Sequence, residues 1–137
     1  MIKFPDDFAW GAATSGPQSE GNFHKPNQNV FDYWFEKKPD DFYDGVGPDE
    51  ASNFYNDYQK DIPLMAKAGI KALRTSIQWT RLIKNLDTGE VDPDGAEFYN
   101  NVINCLIENG IEHISICSTL ICRFSFIKSL VAGSQSM

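Results

Sequence analysis

Gly11-Ala12-Ala13-Thr14-Ser15-Gly16 has the G-x-x-x-x-G spacing of a loop that cradles phosphates. Such a loop needs Lys and then Ser or Thr next, to reach the terminal phosphates and magnesium. Pro17 and Gln18 stand there instead, which argues against nucleotide binding. No G-x-G-x-x-G occurs either. Cys105, Cys117 and Cys122 are odd in number and sit at no metal-ligand spacing. They predict neither a disulfide framework nor a zinc site, and they fit a reducing compartment. His24 reads as a loop residue.

The elements that must carry these residues follow from periodicity and breakers. Phe8–Ala13 reads as a short buried strand, followed by a Gly/Ser/Pro loop through Gly21. Residues 22–48 have no sustained period and hold Pro26, Pro39, Gly45, Gly47 and Pro48. That predicts a long connecting loop, and long loops in compact domains are usually functional. Pro48-Asp49 is expected to open a helix. Its stripe is Ala51, Phe54, Tyr55, Tyr58, Ile62, Met65 and Ala66. Pro63 should kink it, and Gly69 should stop it in a left-handed turn. Ile70–Trp79 reads as a strand. Asp92-Pro93 is a cap followed by proline at the first helical position. The helix it opens carries Phe98, Tyr99, Val102, Ile103, Leu106 and Ile107, and Gly110 ends it. Ile111–Cys117 is a third strand. Strands alternating with helices predict βα units and a parallel sheet.

At 137 residues one domain is the expectation. The net charge is −7, and all nineteen acids lie at or before Glu112. The first 112 residues carry −9 and the remaining 25 carry +2. The acidic balance argues against nucleic acid or an anionic membrane as partner. The opening MIKFPDDF places acids where a signal peptide has its apolar core, so no export signal is expected. Arg123, Lys128 and four serines interrupt the apolar run Ile114–Ala132, so no membrane span is expected. The predicted location is the cytoplasm.

A longer string is more specific. Phe8-Ala-Trp-Gly-Ala-Ala-Thr-Ser-Gly-Pro-Gln-Ser-Glu-Gly21 resembles the N-terminal signature of family 1 glycoside hydrolases, the β-glucosidases and 6-phospho-β-glucosidases. Pro17 replaces the usual aromatic, and this G-P-Q variant resembles the bacterial 6-phospho-β-glucosidase branch. Asn29-Val-Phe-Asp-Tyr-Trp34 is similar to the family's loop after the first strand. Phe54–Ile62 is similar to its first helix, and Arg74-Thr-Ser-Ile-Gln-Trp-Thr-Arg81 to its second strand. Gly89-Glu-Val-Asp92 and Phe98–Ile103 complete a resemblance covering about Phe4 to Glu112.

The resemblance implies the N-terminal third of a (β/α)8 barrel, incomplete here, with about three strands and two helices. It implies no cofactor, no metal and a phosphorylated β-glucoside as partner. Gln18 matches the family's sugar-binding glutamine, and an amide can donate to and accept from vicinal hydroxyls. Arg74 matches the strand-end arginine that supports the nucleophilic carboxylate. A nearby arginine keeps a carboxylate ionised. Glu20 invites a catalytic reading, but the resemblance implies a structural role. Trp10, Trp34 and Trp79 could line a sugar site or pack in the core.

A retaining glycosidase needs two carboxyl groups about 5–5.5 Å apart. The family carries them in an Asn-Glu pair after the fourth strand and in E-N-G after the seventh. No Asn-Glu pair occurs in this chain, and its one E-N-G, Glu108-Asn109-Gly110, closes the second helix rather than following a seventh strand. No catalytic residue is therefore assigned, and a complete barrel takes about 250 residues.

The tail supplies a reason for the charge break. Read from the third base of the Ser118 codon, Ser118–Met137 can encode H-F-D-L-P-F-Q-L-Y-Q-K-P-G-G-W-E-S-K-H, with free choice of synonymous codons. H-F-D-L-P and G-G-W-E-S are family motifs at the proper spacing. Thr119, Leu120 and Ile121 supply two bases each for His, Phe and Asp. The expectation is a one-base frameshift near residues 112–118. Residues 1–112 are then barrel sequence and 113–137 an out-of-frame tail.

The chain is thus expected to be an inactive fragment of a retaining (6-phospho-)β-glucosidase. One alternative is a non-enzymatic binding or regulatory fragment, or a half-barrel complementing a separate C-terminal piece. A small α/β domain with an unrelated ligand is the other.

Overall fold

The computed structural model describes residues 3–118, and side chains through Ile116. Of the expected out-of-frame tail, 113–137, residues 119–137 lie outside the described residues.

Strand β1 is Gly11–Ala13, shorter than expected and exposed at all three residues rather than buried. Among the described residues it pairs with β2 and with no other strand, so one flank is open. A short helix α1, Gly16–Ser19, follows. Helix α2, Val30–Lys37, stands where a structureless loop is expected. Asn29 begins it with a reciprocal capping box. Its Oδ1 accepts from Asp32 N at 2.9 Å, and its own N donates to Asp32 Oδ2 at 2.7 Å. Two 3-10 turns, Pro39–Asp41 and Tyr43–Gly45, lead towards α3.

Helix α3 is Phe54–Lys67, starting later than the expected Pro48-Asp49. Asn53 sits in the left-handed region at φ 57°, so helical geometry cannot extend back through it. The helix continues across Pro63 and gives way to Gly69 at φ 86°. Strand β2, Ala72–Gln78, runs into the short helix α4, Trp79–Leu82. A small antiparallel hairpin joins β3, Ile83–Asn85, and β4, Glu90–Val91. Helix α5 is Pro93–Glu108, and Asp92 caps it by accepting from Gly95 N at 2.9 Å. Strand β5 is Glu112–Ser118.

The main sheet is parallel with order β1-β2-β5. Ala72 aligns with Gly11 and Glu112, and Arg74 with Ala13 and Ile114. Side chains alternate across a strand. Leu73 enters the core with Ile62 of α3 and Phe98, Val102 and Leu106 of α5. Arg74, Ser76 and Gln78 therefore occupy the opposite face of β2. Ile114 and Ile116 share that face in β5 and stay exposed. The helices cover one side of the sheet, and three strands do not close a barrel.

Candidate functional site

The loop after β1 and the end of β2 make a two-level site. The lower level is a buried polar network. Glu20, 2% exposed, accepts from Gln78 Nε2 at 2.7 Å and from Arg81 Nε at 2.8 Å. Tyr99 of α5 donates its hydroxyl to the same carboxylate at 3.1–3.2 Å and accepts from Gln78 N at 2.9 Å. Arg81 also donates to the Phe23 carbonyl at 2.7 Å and the Gly21 carbonyl at 2.9 Å. Its guanidinium lies 4.5 Å from the Tyr55 ring centroid and 5.2 Å from that of Phe98. Each of the three guanidinium nitrogens of this buried cation thus donates to an acceptor, as a buried charge requires.

Burial pushes the Glu20 carboxyl above the usual carboxylate range, and Arg81 and the hydrogen bonds oppose that shift. Burial, then the Glu20 charge, holds the Tyr99 hydroxyl well above its ordinary value. The network extends through Asn29, whose Nδ2 donates to Gln78 Oε1 at 3.0 Å. Asn29 is bonded to Asp32, which pairs with Lys25 in a second buried ion pair. Burial lowers the Lys25 ammonium, and Asp32 opposes this.

The upper level is an open groove of about 670 Å³. Ser15, Pro17, Gln18, Phe31, Phe42 and Pro48 are among its lining residues. Gln18 is exposed, and Ser15 Oγ donates to its Oε1 at 2.7 Å. The Nε2 protons of Gln18 are bonded to no protein acceptor among the described residues. Gly16 explains how closely the two levels meet. A Cβ there would lie 2.4 Å from Gln78 Cγ, so α1 rests directly on the network. Ser19 Oγ donates back to the Ser15 carbonyl at 2.9 Å and closes the turn.

Arg74 is half-buried in β2 and is not among the groove-lining residues. Its backbone carbonyl accepts from Thr14 N at 2.9 Å. Gln18 and Arg74 are thus tied to the same β1–β2 ladder without touching. The three tryptophans are 43–57% exposed and none is core. Trp34 donates to Asp41 at 2.7 Å. His24 sits in the loop, 5.9 Å from the Tyr55 ring centroid. The described residues hold no cluster of three His, Cys, Asp or Glu that could bind a metal.

Tyr99 is legible only as part of the apolar stripe of α5, and the buried partners Gln78, Arg81 and Lys25 have no periodic signal in the sequence. Arg81 stands 61 positions from Glu20, and a buried charge is interpretable only with its partner. The Asn29/Asp32 capping box and the helical spacing of Val30, Phe31, Trp34 and Phe35 are the local signals for α2.

The sequence and the fold both match known proteins. The description "Glycosyl hydrolase family 1" matches residues 1–120. The chain is 51% identical over 114 residues to the 6-phospho-beta-glucosidase GmuD of Bacillus subtilis, covering 82% of this chain and 24% of that protein. It is 38% identical over 112 residues to Beta-glucosidase A of Acetivibrio thermocellus, covering 80% and 25%. The β-glucosidase of Thermotoga maritima, solved with cyclophellitol, superposes with a TM-score of 0.81 at 32% identity, covering 93% and 29%. The chain spans about a quarter of the length of the relatives it matches. By sequence and by fold, it belongs to glycosyl hydrolase family 1.

Proposed function

We propose that residues 1–112 are the sugar-contacting but non-catalytic opening of a retaining 6-phospho-β-glucosidase, and that the 137-residue chain as written does not hydrolyse glycosides. The observation that carries the reading is Gln18, exposed in the groove with its carbonyl engaged by Ser15. Its amide is then poised to donate to a sugar hydroxyl, in the role the family resemblance implies. The phosphorylated substrate is supported by the G-P-Q variant and by 51% identity to a 6-phospho-beta-glucosidase, against 38% to a β-glucosidase.

In this reading Arg74 supports a nucleophilic carboxylate borne elsewhere in the barrel. The intact enzyme would work by double displacement through a glycosyl-enzyme intermediate, with one carboxyl as nucleophile and one as acid/base. The chain has no Asn-Glu pair, and its one E-N-G, Glu108-Asn109-Gly110, ends helix α5 and follows no seventh strand. Residues 113–137 are read as an out-of-frame tail. The cytoplasm is the proposed location. No helix among the described residues is long and apolar enough to cross a membrane.

Two measurements test the proposal. Purified chain should release no chromophore from a chromogenic 6-phospho-β-glucoside, and turnover above background would refute it. Sequencing the gene across codons 105–140 should show H-F-D-L-P and G-G-W-E-S in the alternate frame. Their absence would remove the out-of-frame tail from the proposal.

A further inference from the structure

Ser15-Gly16-Pro17-Gln18 has the S-x-x-Q spacing of a capping box, with Ser15 at the N-cap of α1. In such a box the serine oxygen accepts from the third backbone N–H, and the glutamine side chain reaches back to the serine N–H. Asn29 and Asp32 form that box at α2. Ser15 and Gln18 depart from it. Among the described residues no side-chain cap bond forms at Ser15. Gln18 N donates instead to the Ser15 carbonyl at 3.1 Å, which also receives Ser19 Oγ at 2.9 Å. The main-chain oxygen thus closes the turn, and the two side chains are released from capping. They bond each other, Ser15 Oγ donating to Gln18 Oε1 at 2.7 Å.

The backbone beneath this pair has little room to move. A Cβ on Gly16 would lie 2.4 Å from Gln78 Cγ, so no slack separates α1 from β2. Pro17 is buried, and its ring holds its φ. The fold therefore sets where the Gln18 Cα stands and leaves its side-chain torsions as the remaining freedom. An unrestrained amide can also turn over, which exchanges its donors for its acceptor. The bond from Ser15 removes both freedoms. We infer that Ser15 is a positioning residue, whose hydroxyl locks the rotamer and the sense of the Gln18 amide in the groove. The lock presents the Nε2 donors and the second Oε1 lone pair in a fixed order to two adjacent sugar hydroxyls.

The inference rests on the proposed role of Gln18 as a sugar contact and adds what holds that contact ready. A ligand that meets a locked amide has less to order on binding than one that must arrest a free side chain. Ser15 itself lines the groove, so direct contact of its hydroxyl with the sugar is the competing role. Its one proton is committed to Gln18, which leaves it only as an acceptor there. Positioning and direct contact differ in one respect. A positioning residue matters only while Gln18 is present.

A double-mutant cycle tests this difference. Residues 1–118 of this chain replace the matching part of the Bacillus subtilis relative in an active chimera. Ser15→Ala should lower kcat/KM about fivefold, as loss of one hydrogen bond would. Ser15→Thr keeps the hydroxyl and should retain most of the parent value. Its β-branch suits the extended backbone at Ser15, φ −130° and ψ 149°. In the Gln18→Ala background, Ser15→Ala should change kcat/KM by less than about twofold. A full effect in that background would overturn the inference, because Ser15 would then act without Gln18. So would an unaltered value for Ser15→Ala beside a lowered one for Gln18→Ala. An unaltered value for Gln18→Ala alone would instead overturn the sugar reading of the groove, and the positioning role with it. The full 137-residue chain gives a readout that needs no activity. With 15N labelling, Ser15→Ala should lower the order parameter of the Gln18 side-chain amide by about 0.2 or more. Equal order in parent and variant would overturn the lock whatever the kinetics.

Discussion

Arg81 and Glu20 meet at 2.8 Å, Nε to Oε2, with side chains 0% and 3% exposed. They join the loop after β1 to the segment after β2, across 61 positions of sequence. Breaking a buried ion pair from one side leaves an uncompensated charge, which costs about 3–5 kcal/mol. Arg81→Met and Glu20→Leu should each destabilise by that order in urea denaturation. The double variant should be less destabilised than the two losses added together. Additive losses would mean that the pair is not energetically coupled.

Gly16 should not tolerate a methyl group. The Cβ of Gly16→Ala would meet Gln78 Cγ at 2.4 Å, and Gln78 is held by Glu20, Asn29 and Tyr99. Overpacking of this kind costs about 1–3 kcal/mol. The melting temperature of Gly16→Ala should fall accordingly, and an unchanged value would show that the network can shift.

Stability should decline above pH 10. Burial and the Asp94 hydrogen bond push the Tyr55 hydroxyl up to about 12, and Tyr99 is held well above 10. A folded-state value above the unfolded one stabilises fully below the unfolded value, near pH 10, and that stabilisation is lost as pH rises through the folded value. For Tyr55 the window is therefore pH 10 to about 12. Melting temperatures measured from pH 8 to 11.5 should fall in the upper part of the range. Tyr55→Phe should flatten that fall, and an equal slope in parent and variant would contradict the assignment.

Gln18 should matter for sugar and not for folding. It is exposed, so Gln18→Ala should change stability by no more than about 0.5 kcal/mol. Grafted into an active chimera with the Bacillus subtilis relative, the same change should lower kcat/KM about tenfold or more, the equivalent of about 1.4 kcal/mol. An unaltered kcat/KM would remove Gln18 from the sugar site.

The parts of the fold legible in the sequence are those whose cause is local. Asp92-Pro93 and Gly110 bound α5 within two residues of expectation, because a cap and a left-handed glycine act on their neighbours. The parallel order of the three strands followed from their alternation with helices. Helix α2 escaped although Val30, Phe31, Trp34 and Phe35 recur at helical spacing, because the run is only eight residues long and stands among the prolines and glycines that read as a loop. Strand β1 was expected to be buried because its residues are apolar. Among the described residues it has a strand neighbour on one flank only, and all three of its residues are exposed. Gln18 was legible through a family string. The Glu20 network beneath it was not, since its members come from the β1 loop, from β2 and α4, and from α5.

The loop after β1 is fastened at points far from its own strand. Phe23 and Gly21 carbonyls are held by Arg81, and Asn27 Nδ2 donates to the Ile83 carbonyl at 2.6 Å. One flank of the groove therefore cannot be lengthened or trimmed without unpairing a buried cation. Residues 39–46 are mostly exposed and contribute Phe42 and Val46 to the other flank. Heritable changes in what the groove accepts can accumulate on that flank at little cost to folding. On the proposed reading of the groove as a sugar site, its ligand preference can thus be retooled from one bank while the opposite bank stays fixed.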